Sequence, residues 1–232
     1  MFCHHCGTQV AGDAGFCPNC GQPVGAAPAL GGTPPGPWTP PAGVQAQTGR
    51  WIGAGWALVK TDFWNYILVA VVSTIVSSLL PIVLQGPMIA GFHIFTMKKL
   101  TNRRAEFADL FTGFNFFVPT LVATLLISIF VGLGTIACII PGLVIAAMYK
   151  FTYLFIVDKR MDFWPAMQAS HAIVKQDYFG FTMFLLALAG VNILGFLCCI
   201  IGVFVTIPIT YAAITIAYHE IVGFDPQTTA AL

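Results

Sequence analysis

The chain has 232 residues, of which 57% are hydrophobic and 8% are charged. Soluble domains carry about 25% charged residues, so this composition excludes an ordinary water-soluble globule. The formal net charge is +1 and points to no particular partner. The ten Lys and Arg are unevenly placed, however, and long apolar segments between them contain none.

Four cysteines near the N-terminus have the spacing of a metal site: Cys3 and Cys6, then Cys17 and Cys20. Each C-x2-C pair is followed by a glycine, which allows the left-handed backbone of a tight turn. Zinc prefers four such thiolates in a tetrahedron. We predict one structural Zn²⁺, whose binding would supply most of the folding free energy of so short a segment.

Two disulfides or a redox-active C-x2-C would use the same cysteines, but two matched pairs favour zinc. His4 and His5 could compete as ligands, although four thiolates suffice and we predict both to be spacers. Residues 2 to 24 resemble the short zinc ribbons at the N-termini of many bacterial membrane and regulatory proteins. Thiolate ligation favours a reducing compartment, so we place the ribbon in the cytoplasm.

Residues 25–49 consist mostly of Pro, Gly and Ala, without charge, which predicts a flexible tether. Its two Pro-Pro steps could bind a polyproline-recognising domain, but a spacer role accounts for them. The predicted organisation is a zinc ribbon (1–24), a linker (25–49), a helical membrane domain (50–223) and a short tail (224–232). The polar, cysteine-rich N-terminus shows no cleavable signal peptide.

Apolar segments fill the rest of the chain, and a membrane-spanning helix needs about 20 such residues. Because backbone groups in hydrocarbon must be paired internally, we predict an all-α polytopic membrane protein with about six transmembrane helices. The predicted spans are Tyr66–Leu84, Gly86–Leu100, Val118–Ile140, Gly142–Val157, Phe181–Ile201 and Val203–Val222. The predicted turns between them lie at Gln85-Gly86-Pro87, Pro141-Gly142 and Cys198 to Gly202.

The spans follow aromatic-rich segments typical of membrane interfaces. Residues 56–66 align with residues 171–181, sharing Ala, Val, Lys and Asp. A weaker copy lies at residues 109–117, where chance is the alternative. We predict three repeats, each an interfacial helix followed by a helical hairpin, with interfacial helices at Arg50 to Tyr66 and Met161 to Gln176.

The basic residues flank the spans on one side, which predicts that both termini are cytoplasmic. Four of them also form a cluster that should attract anionic lipids, although a topology signal alone would explain it: Lys98, Lys99, Arg103 and Arg104. An N-terminal region without Lys or Arg before Arg50 makes nucleic-acid binding an unfavourable interpretation.

Lys150 lies near the middle of the fourth predicted span. An intramembrane lysine is a candidate functional residue, although its long stem could also carry the ammonium group to the interface. Candidate partners in a shared interior are His93, Tyr149, Tyr153, Tyr211 and Glu220. The sequence shows no phosphate-binding glycine loop, no nucleophile elbow and no paired carboxylates in apolar segments.

Residues 51–223 combine aromatic helices, Gly-Pro or Pro-Gly turns, a short basic loop and an Ala-Met-x-x-Ser helix (Ala166 to Ser170). This pattern is similar to the membrane regions associated with glycerophosphodiester phosphodiesterases and their uncharacterised relatives. The resemblance implies a bacterial inner membrane. No phosphodiesterase catalytic domain is present, so that activity does not transfer.

Two functions follow as hypotheses. The first is a non-enzymatic scaffold, adaptor or regulator whose ribbon binds a cytoplasmic protein. The alternative is a transporter or lipid-handling protein that uses the helical bundle and Lys150. In either case the lipid bilayer is a partner, and a homo-oligomer is compatible with the sequence.

Overall fold

Helices make up all the regular structure in residues 38–197 and 202–231, which are the residues that this computed structural model describes. The four ribbon cysteines lie outside these ranges. The elements are α1 Thr48–Thr61, α2 Phe63–Leu79, α3 Pro81–Leu100, a 3-10 helix Phe107–Phe116, α4 Phe117–Ala137, α5 Ile139–Met148, α6 Thr152–Asp158, α7 Phe163–Val174, α8 Tyr178–Leu197, α9 Val203–Ile221 and α10 Pro226–Ala231.

Within the described ranges, four helical stretches are long and apolar enough to cross a membrane: Phe107–Ala137, Ile139–Asp158, Tyr178–Leu197 and Val203–Ile221. A fifth is obtained if α1 and α2, which are bent by 103° at their junction, count as one broken span. These helices indicate a membrane protein. The fuller prediction of six spans in three repeats remains a prediction.

Large apolar side chains on three helices point away from the protein core. Examples are Ile75 on α2, Leu133 and Ile136 on α4, and Ile193 and Leu194 on α8, which are 56 to 85% exposed. Exposed apolar surface on this scale marks an interaction surface, and on helices of this length and hydropathy the matching environment is the lipid acyl chains.

The central element is α3, which contains the predicted second span. Every residue from Ala90 to Met97 is buried, and α3 packs against α2, the 3-10 helix, α4 and α9. Because these side chains contact protein, the helix accommodates polar residues such as His93 and Thr96. This packing explains why α3 is not among the four helices that qualify as spans by hydropathy.

Two predicted turns were misplaced. The chain turns between α2 and α3 at Leu80, and the Gln85-Gly86-Pro87 segment lies inside α3. The next turn is at Cys138, whose extended backbone separates α4 from α5, and Pro141-Gly142 lies in α5. Proline early in a helix removes few backbone hydrogen bonds, so Pro141 is compatible with the first turn of α5.

At Gly86 the glycine is required for helix packing. A Cβ built there would lie 2.5 Å from the Thr124 hydroxyl oxygen of α4, closer than any real contact. The missing side chain lets α3 approach α4 closely. The Gly-Pro pair therefore marks a helix contact rather than a turn.

The aromatic segments fold as separate elements beside the spans. The predicted interfacial helix at residues 50–66 is divided at Asp62, which lies between α1 and α2 and accepts hydrogen bonds from Asn65 and Lys99. Asp177, which aligns with Asp62, also directly precedes a helix, and its carboxylate accepts a hydrogen bond from the Gly180 N–H. The segment predicted as the middle copy of the repeat, residues 109–117, lies mostly in the 3-10 helix. The repeat itself stays a prediction.

The C-terminal part of the predicted linker forms hydrogen bonds with the helical domain. The Gln176 side chain donates to the Pro41 carbonyl at 2.8 Å and accepts from the Val44 N–H at 3.2 Å. The Ala46 N–H donates to Asp177 at 3.1 Å. The predicted tether extended to residue 49. Its described portion is instead ordered, because the side chains of Gln176 and Asp177, just before α8, form hydrogen bonds with its backbone groups.

Candidate intramembrane binding site

A break divides the candidate span Ile139–Asp158. The first part, α5, ends at Met148 and the second, α6, begins at Thr152. A break in hydrocarbon leaves backbone groups without helical partners, at a cost of several kcal/mol for each group that stays unpaired. The three intervening residues, Tyr149, Lys150 and Phe151, include neither proline nor glycine.

Ser170, buried on α7, supplies the missing partners. Its hydroxyl donates to the Met148 carbonyl at 2.6 Å and accepts from the Phe151 N–H at 3.2 Å. The Lys150 N–H keeps a tight-turn bond to the Ala147 carbonyl at 3.2 Å. The Ser170 hydroxyl thus pairs with one backbone group on each side of the break and holds the backbone of Lys150 in place.

The Lys150 side chain lines a cavity of about 640 Å³ between helices α2, α3, α4, α5, α8 and α9. The same wall carries His93, Tyr149, Tyr153 and Tyr211, so the structure brings together most of the residues singled out around Lys150. The remaining one, Glu220, does not line this cavity.

Glu220 stabilises the packing of α9 against α1. It accepts a hydrogen bond from the Trp51 indole at 2.6 Å and forms an ion pair with Arg50, also at 2.6 Å. The Trp51 side chain is almost completely buried. Glu220 therefore has a structural role in this fold.

Many polar groups on the cavity wall have no hydrogen-bond partner in the part of the chain that the structure describes. Six polar side chains make no hydrogen bond to any other described residue: Ser73, Ser77, Gln85, Ser128, Tyr149 and Tyr211. Polar groups removed from bulk water cost free energy unless they are paired. Water or a polar ligand in the cavity would satisfy them.

The charge on this wall is not balanced. Among the described residues that line the cavity, Lys150 is the one Lys or Arg, and none is Asp or Glu. Lys150 also makes no ion pair with a described residue. In a low-dielectric environment a protonated lysine without a counter-charge attracts an anion strongly, and a bound anion in turn favours the protonated form. The arrangement can therefore bind a negatively charged group.

Neighbouring hydrogen bonds hold the wall in place. Thr215 donates to the Tyr211 carbonyl at 2.8 Å, so its oxygen accepts from His93 Nδ1 at 2.8 Å. His93 Nδ1 therefore carries a proton. The Tyr153 and Thr124 hydroxyls lie 3.0 Å apart within hydrogen-bonding distance. These residues fix the shape of the cavity beside Lys150.

The predicted lipid-binding cluster is partly neutralised. Lys98 pairs with Asp109 at 2.7 Å, and Lys99 pairs with Asp62. The Lys99 pair and the Asn65 amide hold the pKa of Asp62 below its usual value, although partial burial opposes them. Arg103 and Arg104 are exposed. Contact with anionic lipid remains a prediction.

Sequence reasoning missed a buried carboxylate at the end of α6. Asp158 accepts a hydrogen bond from the Tyr218 hydroxyl at 2.9 Å and from the Asp225 N–H at 2.9 Å, and Lys159 lies 3.4 Å away. Thr228 on α10 donates to the Asp158 carbonyl. The predicted tail is thus bound to the bundle. Its residues carry no pattern that distinguishes them from a free tail.

Comparison with protein families matches residues 2–24 to the zinc-ribbon domain. The chain therefore carries a zinc ribbon at its N-terminus, as its cysteine spacing predicts. Comparison with curated proteins found no match, and neither did comparison with solved structures. The similarity of the membrane domain to the regions associated with glycerophosphodiester phosphodiesterases stays a prediction.

Proposed function

We propose that the membrane domain is a transporter or lipid-handling protein that binds an anionic group in the cavity around Lys150. The observation that carries this proposal is the unpaired Lys150 ammonium on a polar wall at a helix break. Interrupted helices near the bilayer midplane are a recurrent way of building substrate sites in transporters. This was the alternative hypothesis from the sequence.

In this proposal Lys150 supplies the charge and the surrounding hydroxyls supply orientation. The ammonium group forms a charge-assisted hydrogen bond with a carboxylate or phosphate. Tyr149, Tyr211, Ser73 and Ser77 donate to the remaining oxygens. Ser170 acts indirectly, because it fixes the backbone on both sides of Lys150.

Replacing Lys150 with methionine is expected to weaken binding of the anion 10- to 100-fold, since a hydrogen bond to a charged group contributes about 1.5–3 kcal/mol. Oleate and inorganic phosphate serve as probes of a carboxylate and a phosphate. The measurement is the thermal stabilisation of the purified protein in detergent as each probe is titrated.

The matched control is Lys175→Met, an exposed lysine that does not line the cavity. It should bind the responding probe as the unmodified protein does. Equal responses from the Lys150 and Lys175 variants would contradict the proposal, as would the lack of any response from the unmodified protein.

A second function rests on the zinc-ribbon match. We propose that Cys3, Cys6, Cys17 and Cys20 hold one structural Zn²⁺ and that the ribbon binds a cytoplasmic protein. A site with four thiolates leaves zinc no open position for catalysis. The lack of Lys and Arg before Arg50 disfavours nucleic acid as the partner.

A Cys17→Ser, Cys20→Ser variant tests this second function. We expect bound zinc to fall from one ion per chain to none, since only two thiolates remain. A crosslinked pull-down from native membranes should lose the ribbon's partner while binding at Lys150 persists. If zinc is lost and every partner is retained, the adaptor function is wrong.

We further propose that both termini lie in the cytoplasm, that the membrane is a bacterial inner membrane, and that the bundle comprises three helical hairpins. Support comes from the basic residues, which by sequence flank one side of the apolar helices. Reaction of single introduced cysteines at Thr48 and Gln227 with a membrane-impermeant reagent would test the orientation. Labelling in intact cells would contradict it.

A further inference from the structure

A second cavity, of about 340 Å³, lies where α6 ends. Its walls come from α3, the 3-10 helix, the end of α6 and α10. Ile94, Phe116 and Val157 form an apolar part. Four polar residues line the rest: Thr112, Asn115, Arg160 and Thr228, of which Thr228 already donates to the Asp158 carbonyl. None of the residues that line the 640 Å³ cavity lines this one.

The polar side chains of this cavity are available for a ligand. Thr112, Asn115 and Arg160 make no hydrogen bond or ion pair through their side chains to any other described residue. None of the described residues that line it is an Asp or a Glu. A guanidinium, an amide and a hydroxyl that surround one space without an acid provide donors for an anion. Arginine in particular offers two parallel N–H groups to a phosphate or carboxylate.

The backbone at Arg160 has a left-handed conformation, which makes a glycine substitution there a clean test. Its φ is +50°, in the left-handed region that residues with a Cβ adopt only at a cost. Asn102, the other non-glycine residue with positive φ in the described chain, is of a type that tolerates this conformation. Arginine has no such preference, and glycine would fit better. The left-handed backbone ends α6, with the Met161 N–H donating to the Phe155 carbonyl at 3.4 Å, and from this position the Arg160 side chain lines the cavity.

We propose that Arg160, Asn115 and Thr112 form a phosphate-binding site that is separate from the Lys150 cavity. Arg160 binds two phosphate oxygens, and the amide and hydroxyl donate to the others. The volume exceeds that of a phosphate group, so an attached glycerol or similar group can be held against Ile94 and Val157. The phosphate can come from a phospholipid headgroup or from a soluble phosphate ester.

The test compares Arg160→Gly with Asn102→Gly. Both replace a left-handed residue by glycine at the end of a helix, and only the first removes a side chain from the cavity. Without ligand, both variants should unfold at the same temperature as the unmodified protein or a higher one. An effect of Arg160→Gly on binding is then not a folding defect.

Two probes distinguish the sources of phosphate. Dioleoyl phosphatidylglycerol is added to delipidated protein and counted by native mass spectrometry, and sn-glycerol 3-phosphate is titrated in thermal unfolding. Arg160→Gly should bind one lipid fewer, or show at least tenfold weaker binding of glycerol 3-phosphate, while Asn102→Gly matches the unmodified protein.

An effect on the lipid alone assigns the site to a headgroup, and an effect on the soluble ester alone assigns it to a free phosphate compound. If Arg160→Gly binds both probes as tightly as the unmodified protein does, or if neither probe binds, the site does not exist. Loss of binding at Lys150 leaves this result unaffected, since the two cavities share no lining residue.

Discussion

Replacing Gly91 with alanine is expected to disrupt the helical domain. A Cβ at this position would lie 1.8 Å from the carbonyl oxygen of Leu110 in the 3-10 helix, and a Cβ at Gly113 would lie 2.1 Å from the Pro87 carbonyl oxygen of α3. Because the obstruction is backbone, no change of rotamer relieves it. We expect a loss of about 3 kcal/mol in stability, at the upper end for overpacked cores.

The measurement is thermal unfolding in detergent, together with the yield of monodisperse protein. Gly190→Ala on α8 is the control, since a Cβ there meets no atom within 4 Å. Alanine is favoured over glycine inside a helix by about 1 kcal/mol, so this variant should be as stable as the unmodified protein or slightly more so. A Gly91→Ala protein of unchanged stability would show that α3 and the 3-10 helix are not in backbone contact.

Removing the Asp158 carboxylate is expected to release the C-terminal helix. Asp158→Ala leaves the buried Tyr218 hydroxyl and the Asp225 N–H without their acceptor and leaves Lys159 with the more distant Asp225. Leaving a buried donor without its acceptor costs about 1–3 kcal/mol for each group. The unfolding temperature should fall, and a protease should cleave more rapidly beyond residue 222.

Asp162→Ala is the matched control. Asp162 lies four residues further along and caps α7 with one exposed hydrogen bond, to the Phe163 N–H. Losing such a cap costs about 1 kcal/mol, and α10 should stay protected. Similar proteolysis of both variants would show that Asp158 does not hold the C-terminal segment.

The local sequence pattern was sufficient to predict the ribbon and the last two long helices, α8 and α9. The C-x2-C spacing identified residues 2–24, and the predicted spans near residues 181–201 and 203–222 correspond closely to α8 and α9. Hydropathy identifies α8 and α9 because their side chains contact lipid or the rest of the bundle along the whole helix. It is less informative for α3: the apolar segment predicts a span there, but polar residues such as His93 and Thr96, which are buried inside the protein, leave α3 outside the four helices that qualify.

The helix break could not be read from local sequence. Tyr149, Lys150 and Phe151 are ordinary helix residues, and the hydroxyl that stabilises the break belongs to Ser170, 22 residues beyond Met148. The glycines misled the turn prediction for a related reason. Gly86 is required by a neighbouring helix, and only the tertiary structure shows that neighbour.

The buried position of α3 has a consequence for how the protein is made. A helix partitions into the bilayer by itself when its own side chains supply the transfer free energy. The mean hydropathy of α3 is too low for it to be among the helices that qualify as spans. Its neighbours include α4 and α9, which emerge later from the ribosome. We therefore expect stable integration of α3 to depend on segments that are not yet synthesised when α3 reaches the membrane, and the bundle to close only after α9 is complete.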